Sequence, residues 1–545
     1  MGEHKASLEG RIFKASIFIL LAHGLFKLAA LIQAVVMSRY LPPESFDVVY
    51  VVGFEGCVYM LFLIGEQLLG PSFLPVFMRE RDTRSEESAW RFANTMLTIQ
   101  FLVLSVIALT LCLAPHAVIR LITTWGNDSS PHKFEQAVRS IRMLAPAVIG
   151  LSLGSTTYML LNSHKRFFLA AFGDAAWKFC AVIFLIVGAL ISRDGAQMLI
   201  WGLVAGSFCK VLTHLFGLRD KIRYFRPMLD WSHPALKNLC VLALPLIVGI
   251  IFSAIRQNFN NIYVPSALES AGVMQANSIG NKLQNTLLYL VPFTLSIAVF
   301  PFFCELVDKK DYDHLGRLVT RFGRVLLSVF IPFAFFVAVA AVPITSIIFK
   351  GGYFDAVAVK RTALSLSFYT FVLPAAAIEM LVMKAFFANR RMISVTVIGI
   401  LFSSLSMAIS WIGLKVSGGH DLVLLAFIAG GFTLSRTLKC LTLVEMLKKS
   451  APVFPLREMA AFLARVSAAT GVACGLAWLV LYRVGPVLDF SGRVAELVRL
   501  AVGGGVFGVT YLLCAYGLRI REMRELSALV SRKNAKAANA LESGR

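Results

Sequence analysis

The stretch SAGVMQANSIGNKLQNTLLYLVPFT, residues 270–294, places Lys282 inside a long apolar segment. A lysine at the centre of a membrane helix costs roughly 2.5 to 3.5 kcal/mol, so such a residue usually faces protein or water. The polar residues around it share one side of an α-helix: Ser278, Asn281, Lys282, Asn285 and Tyr289. The stretch therefore predicts a membrane helix with a polar stripe.

The composition is typical of a polytopic membrane protein. Of 545 residues, 57% are hydrophobic and 15% are charged, and the mean hydropathy is +0.73, outside the range of soluble globular domains. The net charge of +22 would suit a nucleic-acid partner, but the basic residues separate apolar runs and do not cluster on a polar chain. We therefore expect no nucleic-acid partner. The nine cysteines include no CxxC pair and are expected to be apolar packing residues.

Fourteen apolar segments are long enough to cross a membrane, which takes about 20 residues. They start near residues 12, 46, 92, 139, 168, 196, 239, 272, 325, 361, 393, 421, 459 and 495. The first, from Ile12 to Met37, is too long for the apolar part of a signal peptide. Lys and Arg accumulate in alternate loops, such as RDKIRYFR, and basic loops face the cytoplasm. Both termini are therefore predicted to be cytoplasmic.

An internal repeat relates two parts of the chain. GPSFLPVFMRERD and IAVFPFFCELVDKKD each close an apolar segment, and their Pro75 and Pro301 are 226 residues apart. The same spacing separates Ser163 and Asn389 in a second pair of similar segments. Such repeats are a transporter architecture with the substrate site between the halves. We therefore predict an all-α membrane protein of about 14 helices, in which two six-helix lobes surround a central cavity and two helices follow.

The predicted boundaries follow from that repeat. The N-terminal lobe comprises residues 1–226, the C-terminal lobe residues 227–450, the two extra helices residues 451–520, and a basic cytoplasmic tail residues 521–545.

Polar stripes resembling that of the eighth segment occur in the first, second and seventh. These occupy equivalent positions in the two predicted lobes, and we expect them to line one cavity. The candidate substrate-binding residues are Lys27, Gln33, Glu55, Glu66, Arg256, Asn260, Asn281, Lys282 and Asn285. The surplus of cations favours an anionic ligand, and a phosphate or diphosphate would suit Arg and Lys donors. Glu55 and Glu66 would orient the cations, contact sugar hydroxyls or take part in ion coupling.

Other intramembrane charges have structural explanations. Asp174 and Lys178 are four residues apart and predict an ion pair on one helix. Glu379 and Lys384 are a second candidate pair. The remaining cations are expected to extend to the membrane surface: Lys210, Lys439 and Arg465.

Sequence motifs of enzymes are absent. The chain contains no GxxxxGK[ST] phosphate loop, no HExxH, no GxSxG and no zinc-ligand cluster. Glu55 and Glu66 are paired carboxylates, but nothing near them resembles a nucleophile or a metal site. We therefore predict a transporter, not an enzyme, without a cofactor or metal.

Four motifs resemble elements of the MurJ/MviN family, the lipid II flippases of the multidrug/oligosaccharidyl-lipid/polysaccharide exporter superfamily. The resemblance runs from about Ile12 to Arg521. The motifs are GEQLLGPSFLPVF with Glu66 and Pro75, LNSHKRF with Asn162 and Arg166, GNKLQNTLLYLVPFTLSIAVFP with Lys282 and Pro301, and IIFKGGYFDAVAV with Gly352 and Phe354.

The resemblance implies a function. It implies a central cationic cavity that binds the diphosphate of lipid II, the undecaprenyl-diphosphate-linked peptidoglycan precursor, and moves it from the inner to the outer leaflet by alternating access. The last two helices would form a groove for the lipid tail. Na⁺, H⁺ or the membrane potential would drive transport. The implied setting is the bacterial cytoplasmic (inner) membrane, with the lipid-linked glycan, membrane lipids and the cell-wall synthesis machinery as partners of a monomer.

Departures from the family pattern leave the substrate open. Lys27 and Gln33 stand where the family has arginines, Leu61 and Phe62 replace an arginine pair, and Lys282 replaces the eighth-helix arginine. Lysine does not bind a diphosphate as arginine does. The alternatives are a flippase for another polyprenyl-diphosphate-linked oligosaccharide, such as an exopolysaccharide or O-antigen unit, a cation-coupled drug exporter, or a non-transporting scaffold.

Overall fold

The computed structural model describes residues 28–191, 194–290, 292–389, 391–484 and 493–523. Within these ranges the chain is helical throughout, apart from short connections and one isolated β-bridge between Gly351 and Phe354. The predicted all-α polytopic architecture is confirmed. Lys27 and most of the predicted basic tail lie outside the described residues.

The helices of the first half come in the following order. They are α1 (Leu28–Tyr40), α2 (Pro43–Thr83), α3 (Glu86–Leu113), α4 (Pro115–Ile122), α5 (Pro131–Ser163), α6 (Phe167–Leu190), α7 (Gly195–Gly217) and α8, which runs as Pro234–Asn258, a π-helical segment Phe259–Tyr263 and Val264–Ser266. Helix α2 also contains a π-helical segment, Phe46–Tyr59.

The helices of the second half follow. They are α9 (Val273–Leu290), α10 (Pro292–Asp308), α11 (Tyr312–Val339), α12 (Ala341–Phe349), α13 (Ala356–Thr370), α14 (Leu373–Ala388), α15 (Met392–Val416), α16 (Asp421–Lys448), α17 (Leu456–Leu479), which continues as a π-helical segment Val480–Val484, and α18 (Arg493–Gly517).

Many of these helices are long and apolar enough to cross a membrane. Ten pass in the described residues, and the pair α13 and α14, bent by 41° at its break, makes an eleventh if it is one span. Helix α1 is apolar but shorter in its described part. The predicted number of fourteen spans stays a prediction.

The helix bounds carry the 226-residue spacing seen in the sequence. Helices α3 and α11 both have 28 residues and begin 226 positions apart. Their N-caps, Ser85 and Asp311, are also 226 apart, and each side chain accepts a hydrogen bond from the backbone N–H three residues later. A polar acceptor at this place satisfies an N–H that the first helical turn leaves unpaired. The two halves thus begin equivalent helices with equivalent caps.

The chain forms two compact units. Unit 1 contains the described residues up to Gln275 together with Gly351–Asp355, and unit 2 contains Ala276–Lys350 and the described residues from Ala356 onward. The predicted lobe boundaries, derived from sequence spacing alone, stay predictions.

Small residues set the closest helix contacts within each unit. In unit 1, a methyl group on Gly206 of α7 would lie 2.6 Å from the backbone oxygen of Trp177 of α6. In unit 2, a methyl group on Gly431 of α16 would lie 2.6 Å from the Ile409 side chain of α15. Membrane helices approach closely at small residues because packing, not the hydrophobic effect, drives their association.

The segment Gly351–Asp355 joins unit 1 through its backbone. The Tyr353 N–H donates to the carbonyl of Arg39, 3.1 Å away, at the end of α1. Gly352 has a φ of +61°, and a side chain there would collide with the same carbonyl. The position therefore requires glycine for its backbone angle and for its close approach.

Candidate functional site

Helix α9 carries the polar stripe predicted from its sequence. It is a continuous α-helix from Val273 to Leu290, and Asn281, Lys282 and Asn285 are all partly exposed. The Asn285 Nδ2 donates to Asn281 Oδ1 over 2.7 Å, which connects successive turns of the stripe. The side chain of Tyr289, at the end of the stripe, lies outside the described part of the chain.

The two predicted carboxylates of α2 lie in helical segments of different geometry. Glu55 belongs to the π-helical segment Phe46–Tyr59 and Glu66 to the α-helical part that follows. Both are partly exposed, and the charges of Glu66 and Glu55 both act on the Tyr59 hydroxyl. The structure therefore brings the two carboxylates into one neighbourhood. The expectation of a uniform helical period does not hold there, because a π-turn contains more residues than an α-turn.

Helix α8 places Arg256 and Asn260 on either side of an α-to-π transition. Arg256 is partly exposed at the end of the α-helical part, whereas Asn260, inside the segment Phe259–Tyr263, is 2% exposed. One turn before Asn260, the Asn258 Nδ2 donates to the carbonyl of Gly56 over 3.1 Å. The π-helical segments of α2 and α8 thus meet inside unit 1.

The remaining candidates belong to the first span. Gln33 on α1 is 2% exposed, and its Nε2 finds no hydrogen-bond partner among the described residues. Lys27 lies outside the described residues. Five candidates are therefore located in unit 1 and three in unit 2: Gln33, Glu55, Glu66, Arg256 and Asn260, and Asn281, Lys282 and Asn285.

Asp174 forms a buried ion pair within unit 1. Its Oδ1 lies 2.6 Å from Lys210 Nζ on α7, and Lys178 acts on the same carboxylate. The Lys210 side chain is 1% exposed, and its ammonium lies 4.3 Å from the centre of the Phe62 ring. The expectation that Lys210 extends to the membrane surface was wrong, because a carboxylate on the neighbouring helix holds it inside.

Glu379 forms a second buried ion pair, within unit 2. Its carboxylate lies 2.8 Å from Arg436 Nε and 2.7 Å from Lys439 Nζ, both on α16. Lys384, its predicted partner, instead lies 5.3 Å from the centre of the Phe300 ring. The predicted pair was wrong because residues five apart point to different sides of a helix. The expected extension of Lys439 to the surface was also wrong.

Asp47 is a functional candidate that the sequence did not single out. It is 5% exposed, and its two oxygens accept hydrogen bonds of 2.7 Å from the N–H groups of Gly272 and Gln275 at the start of α9. A carboxylate at this place satisfies unpaired N–H groups and favours the positive end of the helix. The signal was a lone acid at the start of an apolar run, which was attributed to the span boundary.

The polar groups of the described residues suit binding more than bond cleavage. No group of three or more His, Cys, Asp or Glu side chains that could hold a metal occurs among them. Amide, hydroxyl and ammonium groups line the stripe of α9, and amides and ammonium groups donate hydrogen bonds to an anion.

Comparison with known proteins identifies the family. The family model described as Lipid II flippase MurJ matches residues 38–490. Among curated relatives, a "Probable lipid II flippase MurJ" of Rhizobium meliloti (strain 1021) is 23% identical over 356 residues, 64% of each chain. One of Buchnera aphidicola subsp. Acyrthosiphon pisum is 20% identical over 510 residues, 94% of this chain and 98% of the relative. The alignment to the Rhizobium relative thus spans less than two thirds of its length.

Solved structures share the fold. The inward closed conformation of the lipid II flippase MurJ superposes with a TM-score of 0.69 at 17% identity, covering 92% of this chain and 99% of the other. An inward-facing multidrug resistance transporter of the MATE family gives a TM-score of 0.65 at 14% identity, covering 78% and 95%. Since the family model matches residues 38–490 of 545, the chain belongs to the lipid II flippase MurJ family, a family of transporters and not of enzymes.

Proposed function

We propose that this protein is a flippase that moves lipid II from the inner to the outer leaflet of the bacterial cytoplasmic membrane. The observation that carries the proposal is the family match over residues 38–490. The basic loops place both termini in the cytoplasm. The lipid-linked glycan and membrane lipids are the proposed partners, with the cell-wall synthesis machinery, and the protein acts as a monomer.

Transport proceeds by alternating access, in which a site between the halves opens to one side of the membrane and then to the other. Lys27, Arg256 and Lys282 bind the diphosphate. A half-buried Lys282 supports this role, because an ammonium in a partly desolvated site attracts phosphate oxygens more strongly than it does in water.

The neutral and acidic candidates complete the proposed site. Asn281 and Asn285 are joined by a hydrogen bond, which fixes their amides beside Lys282. With Gln33 and Asn260 they offer donors and acceptors to the sugar and peptide parts of the substrate. Glu55 and Glu66 orient the cations or bind a coupling ion, and Na⁺, H⁺ and the membrane potential are the candidate energy sources.

A second candidate substrate is another polyprenyl-diphosphate-linked oligosaccharide. The observation that favours it is the replacement of family arginines by Lys27, Gln33 and Lys282. A lysine is a point charge, whereas arginine offers a planar fork that binds two phosphate oxygens at once. A weaker diphosphate contact shifts more of the selectivity to the glycan.

Depletion of the protein in its native host tests both candidates. Lipid II accumulates in the inner leaflet if the proposal is correct, and another lipid-linked oligosaccharide accumulates under the second candidate. In the depleted strain, Lys282→Met is expected to lose at least 90% of the rescue by the unchanged gene, because it keeps the length of the side chain and removes its charge. Lys282→Arg is expected to restore it.

A matched control removes a lysine elsewhere in unit 2. Lys415 is exposed at the end of α15 and lies over the Trp411 ring, so Lys415→Met is expected to rescue growth fully. Full rescue by Lys282→Met at equal membrane levels would remove Lys282 from the site while leaving the substrate assignment to the depletion result.

A further inference from the structure

Helices α9 and α13 meet inside unit 2 along a line of buried polar residues. This polar seam consists of Asn277, Gly280 and Gln284 of α9 and Thr362, Ser365 and Tyr369 of α13. The Tyr369 hydroxyl donates to Asn277 Oδ1 over 2.9 Å, and a methyl group on Gly280 would lie 2.7 Å from Ser365 Oγ. Residue numbers rise along α9 as they fall along α13, so the next pair, two turns from the first, is Gln284 opposite Thr362.

Three side chains of the polar seam have polar atoms without a partner. Gln284, Thr362 and Ser365 are each 0% exposed. Both polar atoms of the Gln284 amide, the Thr362 Oγ1 and the Ser365 Oγ make no hydrogen bond to any described residue. Each such group costs about 1–3 kcal/mol when it is buried unpaired. A native core rarely holds several such groups side by side without a ligand.

The equivalent contact in unit 1 shows that packing does not need these groups. There α2 meets α5, and a methyl group on Gly53 would lie 3.2 Å from Leu144 and 3.6 Å from Ser140 Cβ. Cys57 follows Gly53 by four residues, as Gln284 follows Gly280, and Ala137 precedes Ser140 by three, as Thr362 precedes Ser365. The Ser140 hydroxyl donates to the Gln136 carbonyl of its own helix over 2.7 Å. A buried contact of the same design is therefore stable with an apolar lining.

The chemistry of the polar seam selects a small monovalent cation. Its possible ligands are neutral oxygens, with no carboxylate for Ca²⁺ or Mg²⁺ and no His or Cys for a transition metal. The unpaired atoms are shielded from solvent, and a sodium ion needs less room than a water molecule. Helix α13 ends at Thr370, at the 41° break before α14, and the carbonyl end of a broken membrane helix favours a cation.

We propose that the polar seam binds a sodium ion through Gln284 Oε1, Thr362 Oγ1 and Ser365 Oγ. A hydroxyl oxygen has two lone pairs, so one that holds the ion can also accept from Gln284 Nε2. The bound ion ties α9 to α13. Because α9 also carries Lys282 on another face, the ion also fixes the helix that presents the proposed diphosphate contact; this consequence, unlike the site itself, rests on the proposed function.

Thermal unfolding of the purified full-length protein in detergent tests the site without any substrate. Sodium chloride is expected to raise the unfolding midpoint in a saturable way relative to choline chloride of equal ionic strength, because a ligand that binds only the folded state stabilises it. Potassium is expected to give a smaller shift. Radioactive sodium is expected to bind with the same concentration dependence.

The variants use residues that unit 1 already accommodates. Gln284→Cys combined with Thr362→Ala is expected to abolish the sodium shift and sodium binding while the protein still unfolds cooperatively in choline. Thr362→Val, which keeps the side-chain shape, is expected to lower the sodium affinity at least tenfold. Ser140→Ala in unit 1 is expected to leave the shift unchanged.

Three outcomes would overturn the site. They are the lack of a sodium shift in the unchanged protein, an equal shift in choline, and a full shift in the double variant. None of them bears on lipid II transport, which the depletion experiment measures separately.

Discussion

Each compact unit holds one buried carboxylate between two cations, but the two units build this cluster from different helices. Lys210 on α7 and Arg436 on α16 are 226 residues apart, on helices that also begin 226 residues apart. The acid that meets Lys210 is Asp174 on α6, whereas the acid that meets Arg436 is Glu379 on α14. The repeat thus fixes where a cation enters the unit, while the acid has come from whichever neighbouring helix offers a position.

The units also differ in which partner is buried. In unit 1 the cation is buried, since the side chain of Lys210 is 1% exposed and that of Asp174 is 26% exposed. In unit 2 the acid is buried, since Glu379 is 4% exposed while Arg436 is 25% and Lys439 is 20% exposed. A broken pair costs most when the group left behind is the buried one. The same substitution should therefore have unequal effects in the two units.

The largest effect is expected for Asp174→Asn. It leaves the Lys210 ammonium buried without its counter-charge, which costs about 3–5 kcal/mol for a buried pair. We expect a clear drop in the thermal unfolding midpoint of the purified protein. The double variant Asp174→Asn with Lys210→Met should regain most of that loss, because no charge remains buried. If the single variant were as stable as the unchanged protein, the ion pair would not be a structural element of unit 1.

A smaller effect is expected for Glu379→Gln. The cations left behind, Arg436 and Lys439, are partly exposed and can turn toward solvent or lipid head groups, so the loss should be about 1–3 kcal/mol, closer to that of an unmade hydrogen bond. The same unfolding measurement checks it. A loss larger than that of Asp174→Asn would contradict the argument from burial.

Sequence reasoning located the helices well and the side-chain partners poorly. Segments such as those starting near 168, 196 and 421 agree with helices that begin at Phe167, Gly195 and Asp421, because hydropathy alone identifies a span. The stripe of α9 lies on a regular α-helix, where spacing predicts which residues share a face.

Partners on other helices escaped that reasoning. Spacing along one helix suggested Lys178 for Asp174 and Lys384 for Glu379, but Asp174 and Lys210 are 36 residues apart in sequence, and nothing in one helix predicts its neighbour. The π-helical segments of α2 and α8 were also invisible to a rule of 3.6 residues per turn. Asp47 and Gln284 resembled ordinary polar residues because only packing shows that they are buried.

The smallest effect concerns the loops that enter α6 and α15. Arg166 and Arg391 precede these helices, and each backbone N–H donates to a carbonyl five residues earlier. Arg166 also binds Asp220 through two hydrogen bonds of 2.6 and 2.8 Å, whereas Arg391 donates to the neutral Ser450 hydroxyl over 3.1 Å. Only the loop of unit 1 therefore depends on a carboxylate.

This difference predicts a pH dependence in one unit only. The hydrogen bond from Arg166 holds the pKa of Asp220 below its ordinary value of about 3.9. The contact is therefore fully present above that value and is lost as the pH falls through the lowered pKa. Hydrogen exchange of the Arg166 loop should accelerate below about pH 3.9, and Asp220→Asn should remove this step. The Arg391 loop should show no step over the same range, because a serine hydroxyl does not titrate there; equal steps in both loops would mean that the acid acts elsewhere in the protein.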